Sequence, residues 1–242
     1  MGIDSFEEAL AATGVTAATL SPDAARALDA DGYVVLRRAI PAELLEDLRA
    51  RFEALFLPAD QWPVPREAGT RHAMLDNDAA VRRICLSPPL LACVFHMLRQ
   101  RFFLKGVQGR DPKPGGGHQG LHRDWPDDGK GPGMVVGLGF LDPYGAENGA
   151  TRIIPGTHFD AGEMNDSAHF PHHPREVVVA GEPGDVLLFH GRLVHSGLCN
   201  VSGAPRRTLQ ICWQSHATIA SIREARDFSG VSALDRYLMG AG

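Results

Sequence analysis

The chain has 242 residues, enough for one domain with a sizeable core and short for two. Hydrophobic residues make up 44% and charged residues 22%, and a net charge of -5 argues against a basic nucleic-acid surface. Cys85, Cys93, Cys199 and Cys212 contain no Cys-x-x-Cys pair, so they read as free thiols rather than a disulfide framework. Met1 to Leu20 carries acidic residues early and lacks a basic segment followed by an apolar run, unlike a secretory signal. No run approaches the roughly 18 apolar residues of a membrane span. A cytoplasmic location is the expectation.

Residues 4 to 30 read as helical, with Ser5 a candidate cap and Ser21-Pro22-Asp23 restarting the pattern before Asp31-Gly32 ends it. Tyr33-Val34-Val35-Leu36 is a β-branched and aromatic run, hence a strand. Pro41 opens a helix to about Phe56, with Leu44, Leu45, Leu48, Phe52 and Leu55 on one stripe. Residues 58 to 78, with three prolines, read as a loop. Residues 78 to 101 read as two helices broken at Ser87-Pro88-Pro89. Strands are expected at 102–108, 134–141, 151–154, 176–180, 185–190 and 206–214. A glycine- and proline-rich loop is expected at 109–117, a polar excursion at 158–174 and a terminal helix at 218–239. Helices first, then short strands separated by turns, predict a mainly β fold with flanking helices, a jelly roll or small barrel, not alternating βαβ units. The expected organisation is a single domain over 1–242. Its parts are a helical region to about 100, a strand core of about 102–215 and the terminal helix.

Within Gly116-Gly117-His118-Gln119-Gly120-Leu121-His122-Arg123-Asp124-Trp125 lies His122-x-Asp124. Residues two apart on an extended strand share a face, so an imidazole and a carboxylate would project side by side. One distant histidine would complete a two-histidine, one-carboxylate triad, the donor set that holds non-haem Fe(II) with open positions. His190 and His195 are both candidates. His190 ends an apolar strand and could simply cap it, whereas His195 precedes Ser196-Gly197, where the backbone can turn a side chain into a pocket. Beyond them lies Arg206-Arg207, and a guanidinium binds a carboxylate through two charge-assisted hydrogen bonds. Arg206 shares a face with Thr208, Gln210 and Cys212, and Arg207 with Leu209, Ile211 and Trp213. The more polar face suits a dicarboxylate, which favours Arg206 unless a bulge reverses the parity.

These residues, together with the run Glu147-Asn148-Gly149-Ala150-Thr151-Arg152-Ile153-Ile154-Pro155-Gly156-Thr157-His158, resemble the phytanoyl-CoA dioxygenase family over roughly residues 30 to 215. The resemblance implies a double-stranded β-helix core and an Fe(II)- and 2-oxoglutarate-dependent oxygenase. In it His122, Asp124 and His195 hold the metal, O2 is the second co-substrate, and Arg206, Gln119 and Thr151 hold 2-oxoglutarate. Halogenating relatives replace the carboxylate with a small residue. Asp124 is kept here, so the resemblance implies hydroxylation or a related oxidation of a small molecule; charge and hydropathy add the expectation of no nucleic-acid or membrane partner.

Blander readings stand beside these. Gln119 and Thr151 could serve only turn or strand hydrogen bonds, Asn148-Gly149 reads as a turn without chemistry, and His158 could merely close its own turn. His169, His172 and His173 lack zinc-like spacing and read as solvated. Trp125 could wall a pocket or simply pack. Asp127-Asp128 reads as solvated but could attract a cation, while Arg110 and Lys113 could neutralise an anion or belong to a basic loop. The competing functions are a cupin-like metalloenzyme that does not use 2-oxoglutarate and a non-catalytic β-barrel binding module.

Overall fold

The computed structural model describes residues 5–55, 57–58, 70–72, 78–125, 132–160, 172–221 and 228–241. Helix α1 (Phe6–Ala12) starts in a capping box, in which Ser5 accepts from the Glu8 amide and Glu8 reaches back to the Ser5 amide. Helix α2 (Pro22–Ala30) is capped by Ser21 with Pro22 at its first position, where a missing N–H costs nothing. Strand β1 (Tyr33–Leu36) follows. A 3-10 turn at Ala42–Leu44 leads into α3 (Leu45–Leu55), whose Leu48 and Phe52 are fully buried. Helices α4 (Ala79–Cys85) and α5 (Pro88–Leu98) are separated at Leu86-Ser87, because the prolines that follow supply no N–H to continue the first helix.

The strands are β2 (Leu57–Pro58), β3 (Thr70–His72), β4 (Phe102–Arg110), β5 (Met134–Phe140), β6 (Thr151–Ile153), β7 (Val177–Val178), β8 (Val186–His190), β9 (His195–Gly197) and β10 (Thr208–Ser215). They form two antiparallel sheets. The large one has the order β1-β8-β5-β10-β4-β3-β2 and the small one β7-β6-β9. One bridge, His122 to His195, lengthens the small sheet. The two sheets enclose Val136, Leu138, Phe140, Leu187 and Phe189 from the large sheet with Ala150, Ile153 and Leu193 from the other side. The opposite face of the large sheet, with Val135, Leu188, Leu209, Ile211 and Trp213, packs on the helices. Apolar residues therefore run continuously along β5 and β8, which are buried along their whole length, instead of alternating with polar ones. This is the expected mainly β, cupin-like core with flanking helices.

Several boundaries differ from the expected ones, and in each case pairing with a distant segment is the reason. Gly109 and Arg110, read as the start of a loop, continue β4 because they pair with Leu209 and Thr208. Thr70–His72, inside the expected 58–78 loop, pairs with the other edge of β4; residues 59–69 and 73–77 lie outside the described residues. The terminal helix expected over 218–239 is a 3-10 segment, His216–Ser221, and a short helix α6 (Ala233–Leu238) that begins anew at the Ser232 cap after a turn at Ser229-Gly230. Residues 161–171, with His169, and Asp127-Asp128 also lie outside the described residues. No single described helix is long and apolar enough to cross a membrane. The α4–α5 pair would pass together on length and composition but is bent by 49° and forms part of the helical core.

Candidate metal centre and co-substrate pocket

His195 lies on β9, and His122 is bound to it backbone to backbone in both directions, at 2.9 and 3.0 Å. The strand-like geometry stops there, since Asp124 sits in a bend rather than on a continued strand, but the carboxylate still turns towards both histidines. The Asp124 oxygens stand 3.7 Å from His122 Nε2 and 3.4 Å from His195 Nε2. One donor atom from each of the three groups falls within 4.8 Å of the others, and they form the one such cluster among the described residues.

The tautomers are set by the backbone. His122 Nδ1–H donates to the Gly120 carbonyl at 2.8 Å, and His195 Nδ1–H donates to the Leu193 carbonyl at 3.0 Å. Each imidazole thus presents an Nε2 lone pair towards Asp124, the orientation that metal-binding histidines adopt. Burial, aided by the neighbouring His195 charge, lowers the pKa of His122 and keeps it neutral. Burial also opposes charge on His195, but the Asp124 carboxylate and the Leu193 carbonyl outweigh it and raise its pKa. Burial alone would protonate Asp124, yet the two imidazoles hold its pKa below the ordinary value. Asp124 Oδ2 is buried and accepts no hydrogen bond. A carboxylate between two imidazole Nε2 atoms, with one buried oxygen lacking a donor, fits a divalent cation of the Fe(II) type in both charge and donor set.

A second polar group runs away from this cluster. Thr151 on β6 lies opposite Gly197 on β9, two residues past His195 and on the same face. Gly197 has no room for a side chain, because a Cβ there would lie 2.7 Å from the Gly117 carbonyl oxygen. Gln119 binds at this point, its Oε1 accepting from the Gly197 N–H at 3.2 Å. The Thr151 hydroxyl is 2.7 Å from the Tyr144 hydroxyl, which accepts from Arg206 Nη1 at 3.0 Å. Arg206 is 8% exposed, lies over the Tyr144 ring, and has a buried Nε without a partner. A buried guanidinium with an unused N–H suits a carboxylate. Order along the pocket is therefore triad, Gln119 and Gly197, Thr151, Tyr144, Arg206.

Arg207 is placed quite differently. It clamps Asp142 through Nε and Nη2, both at 2.8 Å, while its backbone N–H donates to the same carboxylate at 2.9 Å. His190 is likewise outside the cluster, its ring tilted against His158 with centroids 5.6 Å apart, opposite Val135 on the helix side of the large sheet. His158 packs on Gly32, Phe159 and His190 and hydrogen-bonds the Asp29 backbone, so its contacts tie the Pro155–His158 turn to the end of α2. Thr157 serves the same turn, accepting from the Val194 N–H at 2.9 Å. The Asn148-Gly149 turn is structural too. Its Asn148 amide holds the Pro143 carbonyl at 2.7 Å, and Gly149 at φ +88° sits where a Cβ would meet the Leu198 carbonyl oxygen at 2.9 Å. His172 and His173 bind Glu176, which pairs with the buried Arg152 behind β9. Lys113 is exposed, whereas Arg110 is half-buried.

Tyr144 went unnoticed in the sequence because it stands in a turn, where face parity carries no information. Its signal is an aromatic hydroxyl seven residues before Thr151 in the same glycine-rich segment. Phe140 stacks on its ring at 4.0 Å and so fixes the hydroxyl between Thr151 and Arg206.

The family model described as phytanoyl-CoA dioxygenase matches residues 28–208. The dioxygenase trt7 of Aspergillus terreus is 30% identical over 227 residues, covering 79% of this chain and 72% of the relative. The iron/alpha-ketoglutarate-dependent dioxygenase ausU of Aspergillus calidoustus is 26% identical over 207 residues, covering 74% of this chain and 65% of the relative. Among solved structures, HygX of Streptomyces hygroscopicus with nickel and 2-oxoglutarate bound shares the fold at a TM-score of 0.67 and 20% identity, over 86% of this chain and 95% of its own. SnoK, an alpha-ketoglutarate-dependent carbocyclase from nogalamycin biosynthesis, does so at 0.67 and 21%, over 84% and 87%. From the family match and these relatives, the chain belongs to the phytanoyl-CoA dioxygenase family and is an iron- and 2-oxoglutarate-dependent dioxygenase.

Proposed function

We propose that His122, Asp124 and His195 hold the Fe(II), that Arg206, Tyr144, Thr151 and Gln119 hold 2-oxoglutarate, and that residues 1–242 act as one domain in oxidising a small organic molecule. The observation that carries this reading is the convergence of two imidazole Nε2 atoms, each oriented by a backbone carbonyl, on the Asp124 carboxylate, whose Oδ2 is buried and accepts no hydrogen bond. Bound iron and co-substrate supply the oxidation, in which 2-oxoglutarate and O2 become succinate and CO2 as the substrate is oxidised.

The chain's own work is positioning. The Gly120 and Leu193 carbonyls take the Nδ1–H of each ring, so Nε2 is the atom that each imidazole presents to a metal. Arg206 would receive the far carboxylate of 2-oxoglutarate, with the Tyr144 hydroxyl between it and Thr151. Phe140, Leu187 and Phe189 exclude water from the space between the sheets. The presence of Asp124 supports hydroxylation or a related oxidation over halogenation. The test is anaerobic Fe(II) loading followed by succinate assay with and without 2-oxoglutarate, in wild type and in Asp124→Ala. Full iron content and full succinate formation in the variant would sink the proposal.

A further inference from the structure

Buried polar atoms without partners mark Asp124 and Arg206, and two more lie at the far end of β10 from Arg206. Gln214 is the last inward residue of that strand. It lies opposite Met134 in an unbroken β5–β10 register, so it shares the face of Met134 and Cys212, which pack on the core between the sheets. Trp213, between Cys212 and Gln214, packs on the helices instead. Gln214 is 4% exposed, and its Oε1 accepts no hydrogen bond. A row of backbone bonds leads from here to the triad. The Met134 carbonyl accepts from the Gly191 N–H at 2.9 Å, and the Gly191 carbonyl accepts from the Trp125 N–H at 2.9 Å. Trp125 directly follows Asp124.

The indole of Trp125 reaches back along this row. At Gly191 a Cβ would stand 3.0 Å from Trp125 Cβ. At Gly133, the residue before Met134, a Cβ would come within 2.1 Å of Cε2 and 2.4 Å of Nε1. Glycine at both positions leaves room for the ring, and so close a seat holds it in place. Trp125 packs on the core between the sheets, yet its indole N–H is buried and donates to no group of the protein. Nε1 therefore lies beside the start of β5, and Gln214 lies on the strand next to β5. Neighbouring strands run about 4.8 Å apart, a gap that one oxygen making two hydrogen bonds of about 2.8 Å spans. The two unpartnered atoms are complementary, one a donor and the other an acceptor. A carboxylate satisfies only the first and an ammonium only the second, whereas a hydroxyl satisfies both. The surrounding Met134, Val136 and Cys212 also favour an uncharged group.

Resting on the metal-centre reading above, we propose that Trp125 Nε1–H and Gln214 Oε1 receive one hydroxyl group of the primary substrate, which is therefore a neutral alcohol with an otherwise apolar body. The hydroxyl accepts from the indole and donates to the amide. The body lies against Met134, Val136 and Cys212, between this pair and the triad. Trp125 and Gln214 are thus specificity-determining residues, separate from the Gln119-to-Arg206 series that serves the co-substrate.

The experiment uses the full chain. The probes are 2-phenylethanol, geraniol, borneol and menthol, each against its own methyl ether, which keeps the accepting oxygen and lacks the O–H. Calorimetry with Fe(II) and 2-oxoglutarate but without O2 gives affinity, and succinate formation in air gives turnover. At least one alcohol should bind about fivefold more tightly than its ether, or stimulate succinate formation about fivefold more. That preference should vanish in Gln214→Met, which keeps the side-chain length and deletes the amide. In Trp125→Phe the alcohol and its ether should weaken alike, because both lose the indole donor. Thermal unfolding of metal-free protein needs no substrate. Gln214→Met should leave Tm unchanged or higher, since no group of the protein depends on that Oε1. The proposal is overturned if no alcohol outperforms its ether, which would mean that water keeps the pair, or if the preference persists in Gln214→Met. It is also overturned if that variant lowers Tm by about 4 °C or more, which would make the amide a structural group. If Trp125→Phe does not fold, the Gln214→Met and wild-type arms still decide. Absence of both iron binding and 2-oxoglutarate turnover in the wild type is a separate result. It overturns the metal-centre reading, and this proposal with it.

Discussion

The two faces of the segment leading into β10 use the same kinds of residue for opposite purposes. Arg206 and Arg207 are neighbours in the chain, and both make charged or polar contacts to groups near β5. Arg207 turns outward, where Asp142 takes both of its forks and Glu53 of α3 lies 3.6 Å away, so its hydrogen bonds are spent on fastening the helix layer to the sheet. Arg206 turns inward, where only the Tyr144 hydroxyl meets Nη1 and Nε is left buried without a partner. A histidine pair shows the same division. His195 is oriented by a backbone carbonyl with its Nε2 facing Asp124, whereas His190 on the outer face lies among His158 and Arg192, and burial drives its pKa down to about 4. A satisfied polar group is a fastening. An unsatisfied one, oriented by neighbours that hold it in place, is a site.

The largest expected effect is on the inner face. His195→Ala should lower iron affinity by more than about 100-fold, since removing a ligand costs more than removing the groups that orient one. Metal analysis after gel filtration and succinate assay would check it, and a variant that retains stoichiometric iron would break the division between His195 and His190.

The outer histidine should act on stability instead. Its folded-state pKa is depressed, so the unfolded chain takes up a proton below the ordinary 6.5 while the folded chain takes it up only near 4. The stabilisation is complete above pH 6.5 and is lost as pH falls towards 4, by up to about 3 kcal/mol. Denaturant titrations of metal-free protein across this window should show that slope, and His190→Gln should flatten it without altering iron content at neutral pH.

The arginines give the next comparison. Arg206→Ala should raise the KM for 2-oxoglutarate about 30-fold or more, the equivalent of about 2 kcal/mol for a truncated charge pair. Arg207→Ala should leave that KM alone and cost about 2 kcal/mol of stability, lowering Tm by about 4–8 °C. An exchange of these phenotypes would mean the two faces of the segment leading into β10 are assigned the wrong way round. Smallest of all, Tyr144→Phe keeps the ring stack on Phe140 and deletes the hydroxyl. A rise of about fivefold in the KM for 2-oxoglutarate, about 1 kcal/mol, with little change in kcat, is expected from steady-state kinetics.

Much of this was legible in the residues. The helix starts at Ser5, Ser21 and Pro88 follow from capping chemistry and from the missing proline N–H, both local effects. The face alternation of Thr208 through Trp213 separated Arg206 from Arg207 without any knowledge of what either touches. The bulge between Cys212 and Trp213 on the β4 side lies too far along the strand to reverse that parity at Arg206. Where the reading missed, the missing information was non-local. Arg110 looked like part of a basic loop because a glycine precedes it and two prolines follow within four residues, yet pairing with Thr208 holds it in β4. Thr70–His72 is a strand only because the β4 edge is there to pair with it.

By itself, the sequence determined the donor types, the two faces of the stretch from Arg206 through Trp213 and the capped helix starts, because caps, prolines and the two-residue pleat act within a few residues. Only the tertiary structure decided that His195 rather than His190 meets Asp124, that Tyr144 stands between Thr151 and Arg206, and that pairing with Thr208 keeps Arg110 in β4. Those three facts depend on which strands become neighbours. Neighbours are chosen by the combined burial of two sheets and a helical layer, a quantity no short stretch of chain contains.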